Sequence, residues 1–272
     1  MKKNFRGEMS FLEHLEELRW HIIRSVLAIV FFAVFAFIFS RFIFDYILLA
    51  PKNPDFFTNQ VLCKLGSLLH IKSLCINTKP FEVININMSG QFSADMMVSG
   101  IAGLILASPF VFWEFWRFVA PALHENERNH ARGAVFAISS LFMLGILFGY
   151  YMIVPFSLNF LGSYSVSDQI KNQINLTSYF STVASVTLAS GIVFELPILA
   201  FFLSKIGIVT PKFLRKYRRH SIIVILIVAA IITPPDVFSQ TLVSIPLVLL
   251  YEVSIWISAA VKKKKEQENV SD

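Results

Sequence analysis

Hydrophobic residues in this chain gather into long uninterrupted runs. They follow neither the alternation of a half-buried strand nor the one-sided stripe of a surface helix. Six runs stand out, at about 22–40, 96–116, 134–154, 179–203, 220–235 and 238–261. About twenty apolar residues in a helix cross the roughly 30 Å hydrocarbon core of a bilayer. Strands that cross a membrane alternate apolar and polar positions over about ten residues, and these runs do not. The pattern predicts an all-α integral membrane protein of six transmembrane helices, forming one domain over 1–261. The last two helices are predicted to be short. Ser221 to Pro235 is fifteen residues, about 22 Å at 1.5 Å per residue, and the final run is interrupted by Pro246 and Glu252. Such a pair fits a bilayer that is locally thinned or invaded by water. The first run, Ile22 to Phe39, exceeds a signal-peptide core and leads into Ser40-Arg41. It reads as an anchor rather than a cleaved leader. A long outer loop, about 41–95, separates the first two runs, and "KKKKEQENVSD" at 262–272 is expected to be a disordered cytoplasmic tail.

Composition agrees with this picture. Of 272 residues, 55% are hydrophobic and 15% are charged, against about 25% charged in soluble domains. The distribution of Lys and Arg adds an orientation. With the N-terminus inside, 18 of the 24 fall in inner segments and 6 in outer ones. That bias predicts both termini in the cytoplasm, N-in and C-in. The net charge of +6 is then explained by anchoring to an anionic membrane surface, an attraction that salt screens. No nucleic acid is called for.

Candidate chemistry sits mainly at helix ends. Ser10 and Glu13 fit a capping box, and Leu12, Leu15, Leu18 and Ile22 form an apolar stripe. Glu13, Glu16 and Glu17 lie on or beside the wet face. Glu16 reaches Arg19 at i+3. Glu17 is two residues from Arg19, on the other side of the helix, with Glu13, His21 and Arg24 as its neighbours. It is the acid least surely neutralised. A solvated helix entrance and a cation-binding acid are both open readings. A second acidic feature, "APALHENERNHAR", carries Glu125 and Glu127 beside Arg128 and Arg132, with Pro121 stiffening its start. Two acidic places on one cytoplasmic face suit a ligand with two cations, and guanidinium is the natural partner of carboxylate.

Two further acids lie within apolar runs, Glu195 in "GIVFELPILAFF" and Glu252 in "LLYEVSIWI". Pro197 has no amide to offer the carbonyl of Val193, which predicts a kink beside Glu195. Intramembrane acids mark functional sites or internal pairs. In the outer loop, Cys63 and Cys75 are compatible with a disulfide or with two free thiols, and two ligands do not close a zinc site. Enzyme signatures are missing: "HENER" lacks the second His of H-E-x-x-H, and neither G-K-[ST] nor G-x-S-x-G occurs. No catalytic role, metal or cofactor is expected.

Four strings in order carry a resemblance over about Ser10 to Ser258: "HLEELRWHI", "SPFVFWEFWRFVAPALHENER", "FELP" and "TPPDVFSQTLVSIP". The chain resembles the TatC family, the multispanning receptor subunit of the twin-arginine protein translocase. The resemblance implies a receptor in the bacterial inner membrane. It would bind twin-arginine signal peptides of folded precursors at its cytoplasmic face. It would also recruit single-span TatA/TatB-type subunits for export driven by the proton-motive force, with more than one receptor copy in the complex. The family's signal-peptide residues fall on Glu17, Arg19, Phe118, Pro121, Glu127 and Arg128, and its partner-contact residues on Glu195, Thr233 and Gln240. The third member of that polar cluster falls on Ala230, which is not polar. Pro51 in "LLAP" matches a family proline of the first outer loop, and the Cys pair lies in extra loop length that the family pattern does not explain. Two rival functions remain: a proton-coupled transporter using Glu195 and Glu252 as a relay, and an intramembrane protease. The first calls for inverted repeats and the second for a nucleophile–base or paired-Asp site. Neither is apparent.

Overall fold

A computed structural model describes residues 11–70, 75–78, 81–119, 131–167, 169, 172–233 and 237–271. The described chain is mostly helical. Its principal helices are α1 (Phe11–Ile38), α2 (Phe57–Leu68), α3 (Gly90–Val119), α4 (Ala131–Phe148), α5 (Val154–Ser163), α6 (Leu176–Val193), α7 (Leu196–Ile206), α8 (Pro211–Lys216), α9 (Arg218–Ile232) and α10 (Val237–Ser271). Among the described residues, five helical stretches are long and apolar enough to cross a membrane: Glu16–Ile38, Gly90–Val119, Gly133–Ser163, Leu176–Ile206 and Gln240–Lys263. The fifth apolar run forms α9, whose 15 residues fall short of that length.

The chain divides into two compact units. The described part of the first is 11–38, 99–119 and 131–139. Here α1 and α3 approach closely at Gly103, where an added Cβ would lie 2.5 Å from the Ala33 nitrogen. Small residues let helices meet at backbone distance where water supplies no hydrophobic drive. Most other large side chains of α1, Phe31 and Val34 among them, are exposed, as suits a surface solvated by lipid.

The second unit comprises 39–98 and 140–272. Its core joins Leu48, Val98, Ile153, Phe180, Val183 and Leu247, among others. The buried Tyr179 hydroxyl donates to the Leu48 carbonyl at 2.7 Å. The last turns of α4, the π-helical turn Gly149–Ile153 and α6 pack through glycines. A Cβ at Gly145 would lie 2.7 Å from Phe194 Cβ, and one at Gly149 2.8 Å from Ser190 Cβ. α10 packs on α7, α8 and α9.

Two short strands, β1 (Val83–Ile84) and β2 (Ile174–Asn175), pair in parallel among the helices. One sequence expectation needs correction. The last helix is not short: α10 is 35 residues long. Pro246 does not end it, since neighbouring groups in a membrane helix tolerate proline. Glu252 does not interrupt it, because Arg218 neutralises that charge through a forked pair, with Arg218 Nε 2.8 Å from Glu252 Oε1. α10 continues through the lysine run to Ser271. Lys, Glu and Gln are good helix formers, and nothing after 261 breaks the helix.

Candidate functional site

At one end of the first unit the two leading sequence strings come together. His21 of α1 and Glu114 of α3 are both buried, and His21 Nδ1 lies 2.5 Å from Glu114 Oε2. The contact joins an imidazole nitrogen to a carboxylate oxygen. It is an ion pair when His21 is protonated and a neutral-donor hydrogen bond otherwise. Two half-exposed guanidiniums flank the same carboxylate, with Arg24 at 3.7 Å and Arg117 at 3.5 Å. The Phe118 ring, half-buried, meets the His21 ring edge-on with centroids 6.1 Å apart.

Glu17 is half-buried one helical turn before His21, and Arg19 is exposed. Glu17, His21 and Arg24 follow one another at i, i+4 and i+7, so they share a face of α1. Glu114 pairs with His21, Arg24 and Arg117, and Glu252 with Arg218; Glu17 and Arg19 take part in none of these pairs. Pro121, Glu127 and Arg128 lie outside the described residues. The sequence reading missed Glu114. The signal was present: an acid inside an apolar helix, with Arg117 at i+3, is costly unless paired.

The second candidate region belongs to the other unit. The helix breaks between Val193 and Leu196, with Glu195 preceding α7 and Pro197 in its first turn. This is where Pro197 withholds an amide from Val193. Glu195 is half-buried, and its Oε1 is shielded without a hydrogen-bond partner among the described residues. Thr233 caps the end of α9, Gln240 lies in the first turn of α10, and both bond inward. Thr233 Oγ1 donates to the Ala229 carbonyl at 2.8 Å, and Gln240 Nε2 donates to the Leu226 carbonyl at 3.1 Å. Thr233 also lines an open groove with Ser181, Thr182, Ser185 and Ile232. Ala230 is exposed. Glu252, committed to Arg218, is an internal pair rather than half of a relay with Glu195.

The described residues between 51 and 78 are held by polar contacts among themselves and to α5. Cys63 and Cys75 form a disulfide. Asn59 Nδ2 donates to the carbonyls of Pro51 at 3.2 Å and Asn53 at 2.8 Å. Asn77, in the left-handed region at φ 50°, donates from Nδ2 to the Pro155 carbonyl at 3.0 Å, and its backbone amide donates to Asn159 Oδ1 at 3.1 Å. These bonds fasten the segment after the disulfide to α5. No group of three or more His, Cys, Asp or Glu placed to hold a metal occurs among the described residues.

Residues 13–246 match the family model described as Sec-independent protein translocase protein (TatC). A protein of that name from Blattabacterium sp. subsp. Periplaneta americana is 41% identical over 265 residues, covering 97% of this chain and 100% of the relative. Another from Helicobacter pylori strain 26695 is 35% identical over 257 residues, covering 94% of this chain and 90% of the relative. The crystal structure of a twin-arginine translocase receptor TatC superposes with a TM-score of 0.70 at 32% identity, covering 92% of this chain and 100% of that one.

Proposed function

The chain belongs to the TatC family of Sec-independent protein translocase proteins, multi-pass membrane components that work with other Tat subunits, and on that premise we propose that it is the complex's receptor for twin-arginine signal peptides. The observation that supports this reading is the His21–Glu114 contact. It joins two sequence strings 93 residues apart and sets Glu17 one turn from that junction. In this reading one guanidinium of the peptide pairs with Glu17 and the other with Glu127, which the family resemblance assigns. Arg19, Phe118, Pro121 and Arg128 are assigned to the same site by the family resemblance. Each arginine–carboxylate bond contributes about 1.5–3 kcal/mol, and less where water reaches it. The binding face is cytoplasmic, with both chain termini on that side of the bacterial inner membrane, as the lysine and arginine bias suggests.

The second half of the proposal is recruitment. Glu195, Thr233 and Gln240 supply polar atoms to single-span TatA/TatB-type helices, and the shielded Glu195 Oε1 is an acceptor awaiting a donor. The assembled complex, with more than one receptor copy, moves folded precursors under the proton-motive force. Site-specific photocrosslinking of a precursor in native membranes tests the receptor reading. Glu17→Ala and Glu127→Ala are each expected to lose the adduct with a twin-arginine peptide, and retention of full crosslinking in both would overturn the site.

A further inference from the structure

Helix α2 carries its side chains in an order opposite to that of a helix on a water-soluble surface. Its packed side holds Thr58, Asn59 and Gly66, all buried, with Asn59 only 2% exposed. Its outward side holds Phe57, Val61, Leu65 and Leu68, with Phe57 69% and Leu68 75% exposed. At 100° per residue the four outward apolar positions fall within one arc of about 80°. The next arc holds Lys64, Gln60 and Ser67, all exposed and lining an open cleft. The third holds the packed residues. Around its circumference α2 therefore meets protein, then an apolar medium, then a polar one.

The apolar arc is continuous with a membrane-crossing helix. The Phe57 ring touches Tyr151 at 6.3 Å between centroids, and the Phe56 ring stacks on Tyr151 at 5.5 Å. The Thr58 hydroxyl donates to the Tyr151 carbonyl. Tyr151 is itself exposed and lies in the crossing stretch Gly133–Ser163. Eighteen residues beyond Gly133 it has risen about 27 Å, close to the far edge of a roughly 30 Å hydrocarbon core. Tyr150 and the exposed Tyr46 lie near the same level: the Tyr150 hydroxyl donates to the Ile47 carbonyl at 2.6 Å. Amphipathic aromatics concentrate at such boundaries.

We propose that α2 is an interfacial helix, with Phe57, Val61, Leu65 and Leu68 dipping into the acyl boundary of the leaflet at the Tyr151 end of the membrane. Lys64 lies at the edge of the apolar arc, where its stem covers hydrocarbon and its ammonium meets headgroup phosphate. The occupant of the apolar arc is lipid, and the outer loop is held at the membrane by this contact as well as by its bonds to α5. The proposal is independent of the signal-peptide site and of which leaflet is involved.

The test uses the full chain in phosphatidylethanolamine–phosphatidylglycerol vesicles. Benzoylphenylalanine is placed singly at Val61, Leu65, Leu68, Gln60 and Ser67, and adducts are identified by mass spectrometry. Lipid adducts severalfold higher at 61, 65 and 68 than at 60 and 67 are expected. Equal yields around the helix overturn the proposal, and so do adducts at Leu65 to a second copy of the chain or to a partner subunit in place of lipid. An environment-sensitive fluorophore at Leu65 gives an independent reading. Strong quenching by lipids labelled near the headgroup supports the interfacial position, and quenching only by an aqueous quencher refutes it.

Discussion

Glu114 faces three basic side chains with one carboxylate, from a position where only 2% of it is exposed. Replacing it with Gln leaves the shape but removes the charge that His21, Arg24 and Arg117 converge on. The expected loss is about 1–3 kcal/mol from an unsatisfied buried partner, read as a lower melting temperature in detergent. Glu17→Gln, which breaks none of the ion pairs around Glu114, should leave melting unchanged while it abolishes peptide crosslinking. Two glycines of α3 offer a matched pair at the same scale. Gly103→Ala drives a Cβ to within 2.5 Å of the Ala33 nitrogen, and overpacking of this kind costs about 1–3 kcal/mol. Gly100→Ala meets nothing within 4 Å and should be neutral or mildly stabilising, by up to about 1 kcal/mol. Thermal melting of the two variants side by side checks the α1–α3 contact. Residue spacing made Glu17 legible as an acid without an i+3 or i+4 arginine. Spacing did not single out Glu114, whose signal was the cost of an acid within an apolar run and whose nearest partner, His21, lies far away in sequence.

Among elements, the membrane helices were the easiest to read, since hydrocarbon forces every backbone group to be satisfied inside its own segment. The described parts of the apolar runs are largely helical, and Pro197 stands in the first turn of α7, just after the break. The outer loop was not legible. Helix α2 shows its polar residues to the protein and its apolar ones outward, so its amphipathic pattern names no water-facing side. The turn at Asn77 depends on acceptors in α5 that no local pattern reveals. The disulfide closes a segment twelve residues apart, and a loop of that size gains about 3 kcal/mol from cross-linking. Cys63→Ser with Cys75→Ser should therefore speed proteolysis between 57 and 78 while far-UV helicity stays unchanged. Equal digestion rates would show that the asparagine bonds alone hold the loop.

For the whole molecule, α9 raises a question of thickness. Its 15 residues span about 22 Å, against a core of roughly 30 Å. A bilayer that conforms to it should be thinner around the reconstituted protein, which small-angle scattering of nanodiscs measures. An undisturbed bilayer would mean that α9 does not cross alone. Orientation was read from charge asymmetry, and helix count from hydropathy. Neither reports which loops touch, because contacts between distant loops leave no periodic trace in the chain.

The two-residue pairing of β1 with β2 supplies a rule of parity. Paired strands lie about 5 Å apart, so Val83 and Ile174 cannot sit on opposite faces of a bilayer. The chain between them must then cross an even number of times: α3 and the α4–α5 stretch both traverse, or neither does. Any assignment that lets one of them cross without the other breaks the β pair. Four residues thus constrain the threading of some ninety, without reference to charge, hydropathy or kinship.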